Sequence, residues 1–483
     1  MYSGRFPALL RRGFGDIVEI MEEKPLWNRI RSYIRTLSVA ALTIDVIGIA
    51  VLTVLVASWW RSGQSAVNHA AAVGSAGLFA VLGLCFAPRW VEAWSRRKQP
   101  ETPMNTAASK LLTRVFLTLL VEDAVVIGLV YLLRCGWVQR EGFAESLSFW
   151  RCLDSNSYLE IAQYGYMAEG ARAVQLVFLP GYPLVVRAVH LLVGGDYVYA
   201  GLVTAGLCFA GAGTMFCALV CLDYGQRAGL RAVKYLCVLP GAFFYAAPMS
   251  ESLFLLLSLA CVYCVRRKRW FAACALGGLA AFTRTIGLVM AALVFFELIA
   301  DLVAAPPKGA RQIGLYAFRF AALLLIPAGF ACYCAINYRV TGDALRFLTY
   351  QKEHWSQSLG YFFNTASYQA GYAAGCLQSG KIKDFGALWL PQVLASAAAL
   401  AVLIVAVKKL RPSYVFYAIG YYIIAIGCTW LLSAVRYLAA LFPIPMALAI
   451  LGRNRRVDAE MTIILLLLSA AYLYMFVNRW QVW

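Results

Sequence analysis

Residues 251–300 read ESLFLLLSLACVYCVRRKRWFAACALGGLAAFTRTIGLVMAALVFFELIA. Apolar runs at 250–265, 270–283 and 285–304 are broken only by Arg266-Arg267-Lys268-Arg269 and by Thr283-Arg284-Thr285. A bilayer crossing needs ~20 predominantly apolar residues. Short loops rich in Lys and Arg stay on the cytoplasmic side. The basic tetrad is therefore predicted inside, and Glu251, Arg284 and their neighbours fall at the opposite, outer ends of the runs.

Outward from this stretch the same pattern repeats. Apolar runs occupy 38–59, 68–88, 114–134, 174–193, 198–222 and 232–247 before it. After it they occupy 314–337, 388–407, 413–432, 435–451 and 460–477. Basic clusters at Arg11, Arg12, Lys24, Arg29, Arg31 and Arg35, and at Arg89, Arg96, Arg97, Lys98 and Lys110, are both predicted cytoplasmic, with two spans between them. Lys308 and Arg311, then Lys408, Lys409 and Arg411, then Arg453, Arg455 and Arg456 continue the alternation, which leaves the C-terminal end outside. Only 174–193 breaks the parity. It contains FLPGYP (178–183), and its two prolines interrupt a helix, so a re-entrant, interfacial or split segment is expected there.

Bulk composition agrees. The chain of 483 residues is 62% hydrophobic and 14% charged, against about 45–50% and about 25% in soluble domains. The net charge of +19 sits in the short loops, so it speaks for topology and against a nucleic-acid partner. The fold class expected is all-α: a polytopic transmembrane bundle of about 11–14 spans, with amphipathic helices in the first large outer loop. The first apolar run begins near Ala40, too late for a cleavable signal peptide. Residues 1–112 are read as an N-terminal extension carrying the basic segment and two spans, and 113–483 as the main transmembrane domain with outer loops at 136–173 and 338–387.

The 14 cysteines form no CxxC pair, and His69, His190 and His354 are far apart. No metal-ligand spacing exists, so neither structural zinc nor any other cofactor is expected. Carboxylates that could hold a divalent cation remain in the chain.

Polar residues collect on the outer face. In RCLDSNSYLEIAQYGY (151–166), Asp154 precedes the spacing Leu153, Tyr158, Ile161, Ala162, which suits a short amphipathic helix on the membrane surface. Glu251, in Pro248-Met249-Ser250-Glu251-Ser252, opens a helix. Helix capping would account for either acid. Arg284 and Arg436 lie at outer span ends, where the positive-inside rule expects few cations; snorkelling to the interface is the plain alternative. The loop 338–387 brings Thr341-Gly342-Asp343, Gln351, Lys352, His354 and Trp355, polar and aromatic enough to cover a site. Glu122 and Asp123 lie about eight residues into a span, roughly 12 Å deep, and acids at such depth are candidates for function. Asp45 is shallower.

Carboxylates, two arginines and an aromatic loop beside lipid suit sugar transfer from a polyprenyl phosphate. Phosphate is a good leaving group, so one carboxylate acting as general base suffices, whereas glycosidases use two. Arginines would bind the phosphate.

At these residues the chain resembles the PIG-V family, the second mannosyltransferase of GPI-anchor synthesis, and its prokaryotic relatives in the GT-C superfamily. The resemblance rests on Asp154-Ser155, Tyr158-Leu159, Ile161-Ala162 and Gly165-Tyr166 followed by FLPGYPL. It continues in LPGAFFYAAPMSESLFLLLSL, AAFTRTIGL, TGDALRFLTYQKEHW and RYLAALFP, in the family's order over roughly 150–445. It implies a GT-C fold and inverting transfer of a sugar, typically mannose, from a polyprenyl-phosphate donor to a glycan or glycolipid acceptor. It carries over Asp154 as general base, and Glu251, Arg284 and Arg436 as substrate-binding; Tyr158, Gln351 and His354 join them as substrate-binding candidates. Leu153 stands where the family has Trp, and Leu179 replaces the second Phe of its Phe-Phe-Pro. Localisation would be the plasma membrane in a prokaryote or the endoplasmic reticulum membrane in a eukaryote. The competing readings are a lipid or sugar transporter or flippase, which would show inverted repeats and midplane polar residues, and a structural subunit of a membrane complex.

Overall fold

The computed structural model describes residues 38–60, 63–95, 107–137 and 142–483. The basic segment expected before residue 38, and Arg96, Arg97 and Lys98, lie outside the described residues. Within them the chain is helical; the exception to regular helix and turn is one isolated antiparallel bridge, Leu359 to Cys428.

The chain opens with a hairpin of α1 (Val39–Trp59) and α2 (Ala66–Ser95), followed by α3 (Ser109–Trp137). After it comes α4 (Ser155–Tyr164), then α5 (Gly181–Val193), α6 (Tyr197–Tyr224) and α7 (Gln226–Val238). The stretch that opened the sequence reading forms α8 (Glu251–Arg266), α9 (Trp270–Thr283) and α10 (Met290–Ala304). Next are α11 (Ala310–Ala322), α12 (Leu325–Thr341), α13 (Arg346–Trp355) and α14 (Phe362–Gln378). The chain finishes with α15 (Leu390–Ala406), α16 (Pro412–Ile426), α17 (Ala434–Ala439), α18 (Pro443–Leu451) and α19 (Arg455–Val477).

Among the described residues, 8 helical segments are long and apolar enough to cross a membrane, and α5, α9 and α16 are shorter apolar helices. The lipid-facing sides are legible as exposed Val46, Ile47 and Val54 on α1 and Ile463, Ile464 and Leu467 on α19. Water would not tolerate such stripes; hydrocarbon solvates them.

The FLPGYP segment joins a 3-10 turn to a helix. A 3-10 turn over Ala173–Val177 leads to extended Phe178, and α5 starts after Pro180. Pro183 occupies the first turn of α5, where no intrahelical donor is lost. The prolines therefore start a helix instead of breaking one. Its 13 residues span only about 20 Å, short of the ~30 Å hydrocarbon core.

The stretch 338–387, expected as an outer loop, is mostly helix. Polar Asn364, Gln369 and Gln378 hide α14 from a hydropathy reading. Close packing compensates. Phe362 meets Phe79 of α2 at 4.6 Å between rings, Trp59 Nε1 donates to Asn364 Oδ1 at 2.7 Å, and a side chain at Gly371 would run into Asn68. α14 thus runs antiparallel to the first half of α2.

Small residues set the closest crossings, as in other membrane bundles. Gly206 and Gly213 of α6 sit under Asp123 and Leu119 of α3. Gly278 of α9 and Gly329 of α12 bring the two backbones into contact. The end of α9, which carries Arg284, is fixed by that crossing.

Charged groups gather at the two ends of the bundle. At the end that loop charge predicts to be cytoplasmic, Arg266 pairs with Asp223 at 2.6 Å, Arg411 with Glu297 at 2.6 Å and Lys234 with Asp458 at 2.7 Å. Asp301 takes both Lys268 and Arg319, at 3.0 and 3.1 Å. The basic clusters read from sequence as topology markers thus include the partners of buried acids. Between the layers, Asp45 and Asp123 are buried in α1 and α3.

Candidate active site

At the opposite end of the bundle, the one loop charge predicts to be outside, four charged side chains from four segments form one chain of ion pairs. Arg436 Nη2 donates to Asp154 Oδ2 at 2.6 Å. Arg436 Nε lies 3.2 Å from Glu251 Oε1, an ion pair without the alignment of a hydrogen bond. Arg284 Nη1 donates to the same Glu251 oxygen at 2.6 Å and to Ser250 Oγ at 3.0 Å. Ser250 Oγ in turn meets the Tyr158 hydroxyl at 2.9 Å.

Each residue is placed by its local structure. Asp154 is the residue before α4, but its side chain makes no capping bond; it turns to Arg436 instead. Leu153, immediately before it, has φ 50, the left-handed region that a Leu rarely adopts. That backbone twist turns the chain from the Phe149–Arg151 stretch into α4. Glu251 is the first residue of α8, where the helix dipole favours a carboxylate, yet it too is held by arginine. Arg284 follows α9 in extended conformation, so its side chain leaves the helix axis sideways toward α8. Arg436 lies in short α17, and its Nη1 also reaches Met249 Sδ at 3.2 Å. Tyr437 lies under both guanidiniums, its ring centre 5.0 Å from that of Arg284 and 5.6 Å from that of Arg436.

The two acids differ in access. Glu251 is 2% exposed, whereas the Asp154 side chain is 27% exposed. Only Asp154 is open to an incoming reagent, and its Oδ1 makes no hydrogen bond among the described residues. Glu251 Oε2 is buried without a partner. Arg284 uses one nitrogen for both its bonds, so Nε and Nη2 are not engaged among the described residues. The cluster is neutral as a whole and offers one accessible base beside unspent guanidinium donors. A cation held by both carboxylates would have to displace Arg436 and Arg284 from them.

The structure therefore brings together Asp154, Tyr158, Glu251, Arg284 and Arg436. Gln351 and His354 do not contact them: Gln351 bonds Gln357 at 3.2 Å, and exposed His354 packs beside Tyr350 and Trp355. Their helix reaches the cluster through Trp355, whose ring lies 6.0 Å from Phe178, itself 5.1 Å from Tyr158. Ser250, Met249 and Tyr437 belong to the cluster but had no role in the sequence reading. They adjoin Glu251 and Arg436 in MSES and VRY, and that adjacency was the available signal. Glu122 and Asp123 stand apart, on α3. Among the described residues no group of three or more His, Cys, Asp or Glu side chains gathers at metal-ligating distance.

No protein-family profile matches the chain, and no curated protein aligns with it significantly. Its fold is similar to a crystal structure of ArnT from Cupriavidus metallidurans bound to undecaprenyl phosphate, with a TM-score of 0.48 and 14% identity over 76% of this chain. The chain spans 64% of the length of that protein.

Proposed function

We propose that the chain is a GT-C-type membrane glycosyltransferase that moves a sugar from a polyprenyl-phosphate donor to a glycan or glycolipid acceptor at the outer face. The observation that carries this is the Asp154–Arg436–Glu251–Arg284 circuit, with one accessible carboxylate at its edge. Mannose is the sugar favoured by the PIG-V-like order of motifs.

In this reaction an acceptor hydroxyl oxygen attacks the anomeric carbon from the face opposite the phosphate. The carbon–oxygen bond to phosphate breaks, polyprenyl phosphate leaves with the electron pair, and the configuration inverts. Asp154 takes the hydroxyl proton as general base. Arg436 orients that carboxylate. Arg284 offers Nε and Nη2 to the phosphate as negative charge grows on the leaving oxygen, a stabilisation worth most in a site shielded from water. Glu251 fixes both guanidiniums and so positions rather than reacts. Tyr158 and Trp355 supply aromatic walls; Gln351 and His354, on the same face as Trp355, would meet only the outer part of a bound substrate.

The transporter reading has less support, because among the described residues the ion pairs lie at the helix ends, with Asp45, Glu122 and Asp123 the acids set deeper in the spans. The test is to incubate membranes containing the protein with radiolabelled polyprenyl-phosphate-mannose. Label passing to a new glycan or glycolipid supports transfer, and label crossing the bilayer unchanged supports transport.

A further inference from the structure

A second feature adjoins Asp154. A cavity of about 420 Å³ lies between the segment before α4 and the segment after α19. Arg151, Cys152 and Leu153 form one wall, Arg479 and Trp480 the other, with Phe149 between. The volume falls within the ~300–1,000 Å³ of ligand pockets. Its wall at Leu153 is one residue from Asp154, so a ligand seated there lies beside the candidate base.

The lining holds two arginines and no Asp or Glu side chain among the described residues. Arg151 is bonded to Asp196. Arg479 is exposed and makes no ion pair among the described residues; its guanidinium lies 5.0 Å from the Phe149 ring centre. Arg134 approaches the same ring at 4.5 Å, and Lys383 lies 5.5 Å over Trp480. Four cations thus lie on or against the walls of one pocket. They do so at the outer ends of the helices, where topology calls for few. Arg479 has φ 55, so a strained backbone points this side chain back across the pocket. A wall of guanidinium and indole is suited to a ring with an apolar face and an anionic substituent.

We infer that this pocket is the acceptor subsite, and that the acceptor is a sugar bearing an anionic group, phosphate or carboxylate. Arg479, supported by Arg151, holds the anion. Trp480 packs against the sugar ring. A hydroxyl then passes Leu153 toward Oδ1 of Asp154. The inference rests on the transferase reading, but its test does not measure transfer.

The full chain in lipid nanodiscs is titrated with glucose 6-phosphate, glucuronate, glucose and inorganic phosphate, and binding is read as a rise in Tm. Glucose 6-phosphate or glucuronate binds more tightly than glucose or phosphate alone, and whichever anionic sugar prevails identifies the group. Arg479→Gln weakens that binding about tenfold, while polyprenyl phosphate binds both forms equally. The inference is overturned if neither anionic sugar binds, if inorganic phosphate alone binds as well, or if Arg479→Gln leaves the affinity unchanged. It is also overturned if Arg479→Gln weakens polyprenyl phosphate, which would make the pocket part of the donor site. Loss of polyprenyl phosphate binding in the unmodified chain would count against the transferase reading instead.

Discussion

Arg436 Nη2 sits 2.6 Å from Asp154 Oδ2 while Arg436 Nε sits 3.2 Å from Glu251 Oε1. One guanidinium thus ties the first outer loop to the start of α8, and it does so with only 5% of its side chain exposed. Removing either acid leaves positive charge buried, and removing the arginine leaves two carboxylates facing each other.

Glu251 is consequently the structural centre of the circuit. Glu251→Ala strips Arg284 and Arg436 of their shared partner, and breaking a buried pair this way costs about 3–5 kcal/mol. The double variant Glu251→Ala/Arg284→Met removes one of the orphaned charges and recovers part of that loss. Thermal unfolding in detergent measures both. Equal stability of the single variant and the unmodified chain would show that the circuit holds nothing together.

The crossing of α9 and α12 is a second requirement. A Cβ at Gly278 would press into the backbone at Leu325. Gly278→Val forces the helices apart at a cost of about 1–3 kcal/mol and displaces Arg284 at the end of α9. The yield of folded protein falls and its Tm drops, whereas Gly128→Val, in open space on α3, leaves both unchanged.

Cys152 lines the cavity beside Asp154. Burial pushes its thiol up to about 12, with Arg479 acting to lower it and Asp154 to raise it. The thiolate is the reactive form, so Cys152 is neutral at pH 8 and resists iodoacetamide until the pH approaches that range. Mass spectrometry of alkylated peptides checks this against the same chain unfolded in SDS, in which Cys152 is modified at pH 8. Rapid labelling of Cys152 at pH 8 would contradict the burial.

Orientation is tested by single-cysteine labelling in sealed vesicles. In a cysteine-free background, Arg267→Cys reacts with an impermeant maleimide from the cytoplasmic side only and Glu169→Cys from the other side only. Labelling of both from one side would overturn the placement of the site on the outer face.

How much of this was legible in sequence follows from the kind of signal. Asp154, Glu251, Arg284 and Arg436 were readable because loop charge gives orientation, and orientation puts all four at one end. Their pairing was not, because it depends on how helices cross, and the glycines that decide the crossing, Gly278 and Gly329, carry no side-chain signal. The helix at 362–378 was hidden because Asn364, Gln369 and Gln378 interrupt an otherwise small and apolar pattern that only makes sense against α2. Gln351 and His354 looked like site residues on composition. In the fold Gln351 bonds Gln357 and His354 packs beside Tyr350 and Trp355, and the helix ends at Ser356, in the left-handed region with φ 52.

The central claim is that Asp154 is the base for sugar transfer. The direct measurement is the initial rate of transfer from polyprenyl-phosphate-mannose by the purified, reconstituted Asp154→Asn variant, with binding of polyprenyl phosphate measured in parallel. Asparagine keeps the shape and cannot take the proton. The account predicts that transfer falls by about 10²–10⁴ while the variant inserts and binds polyprenyl phosphate as the unmodified protein does. Transfer at the unmodified rate would contradict it.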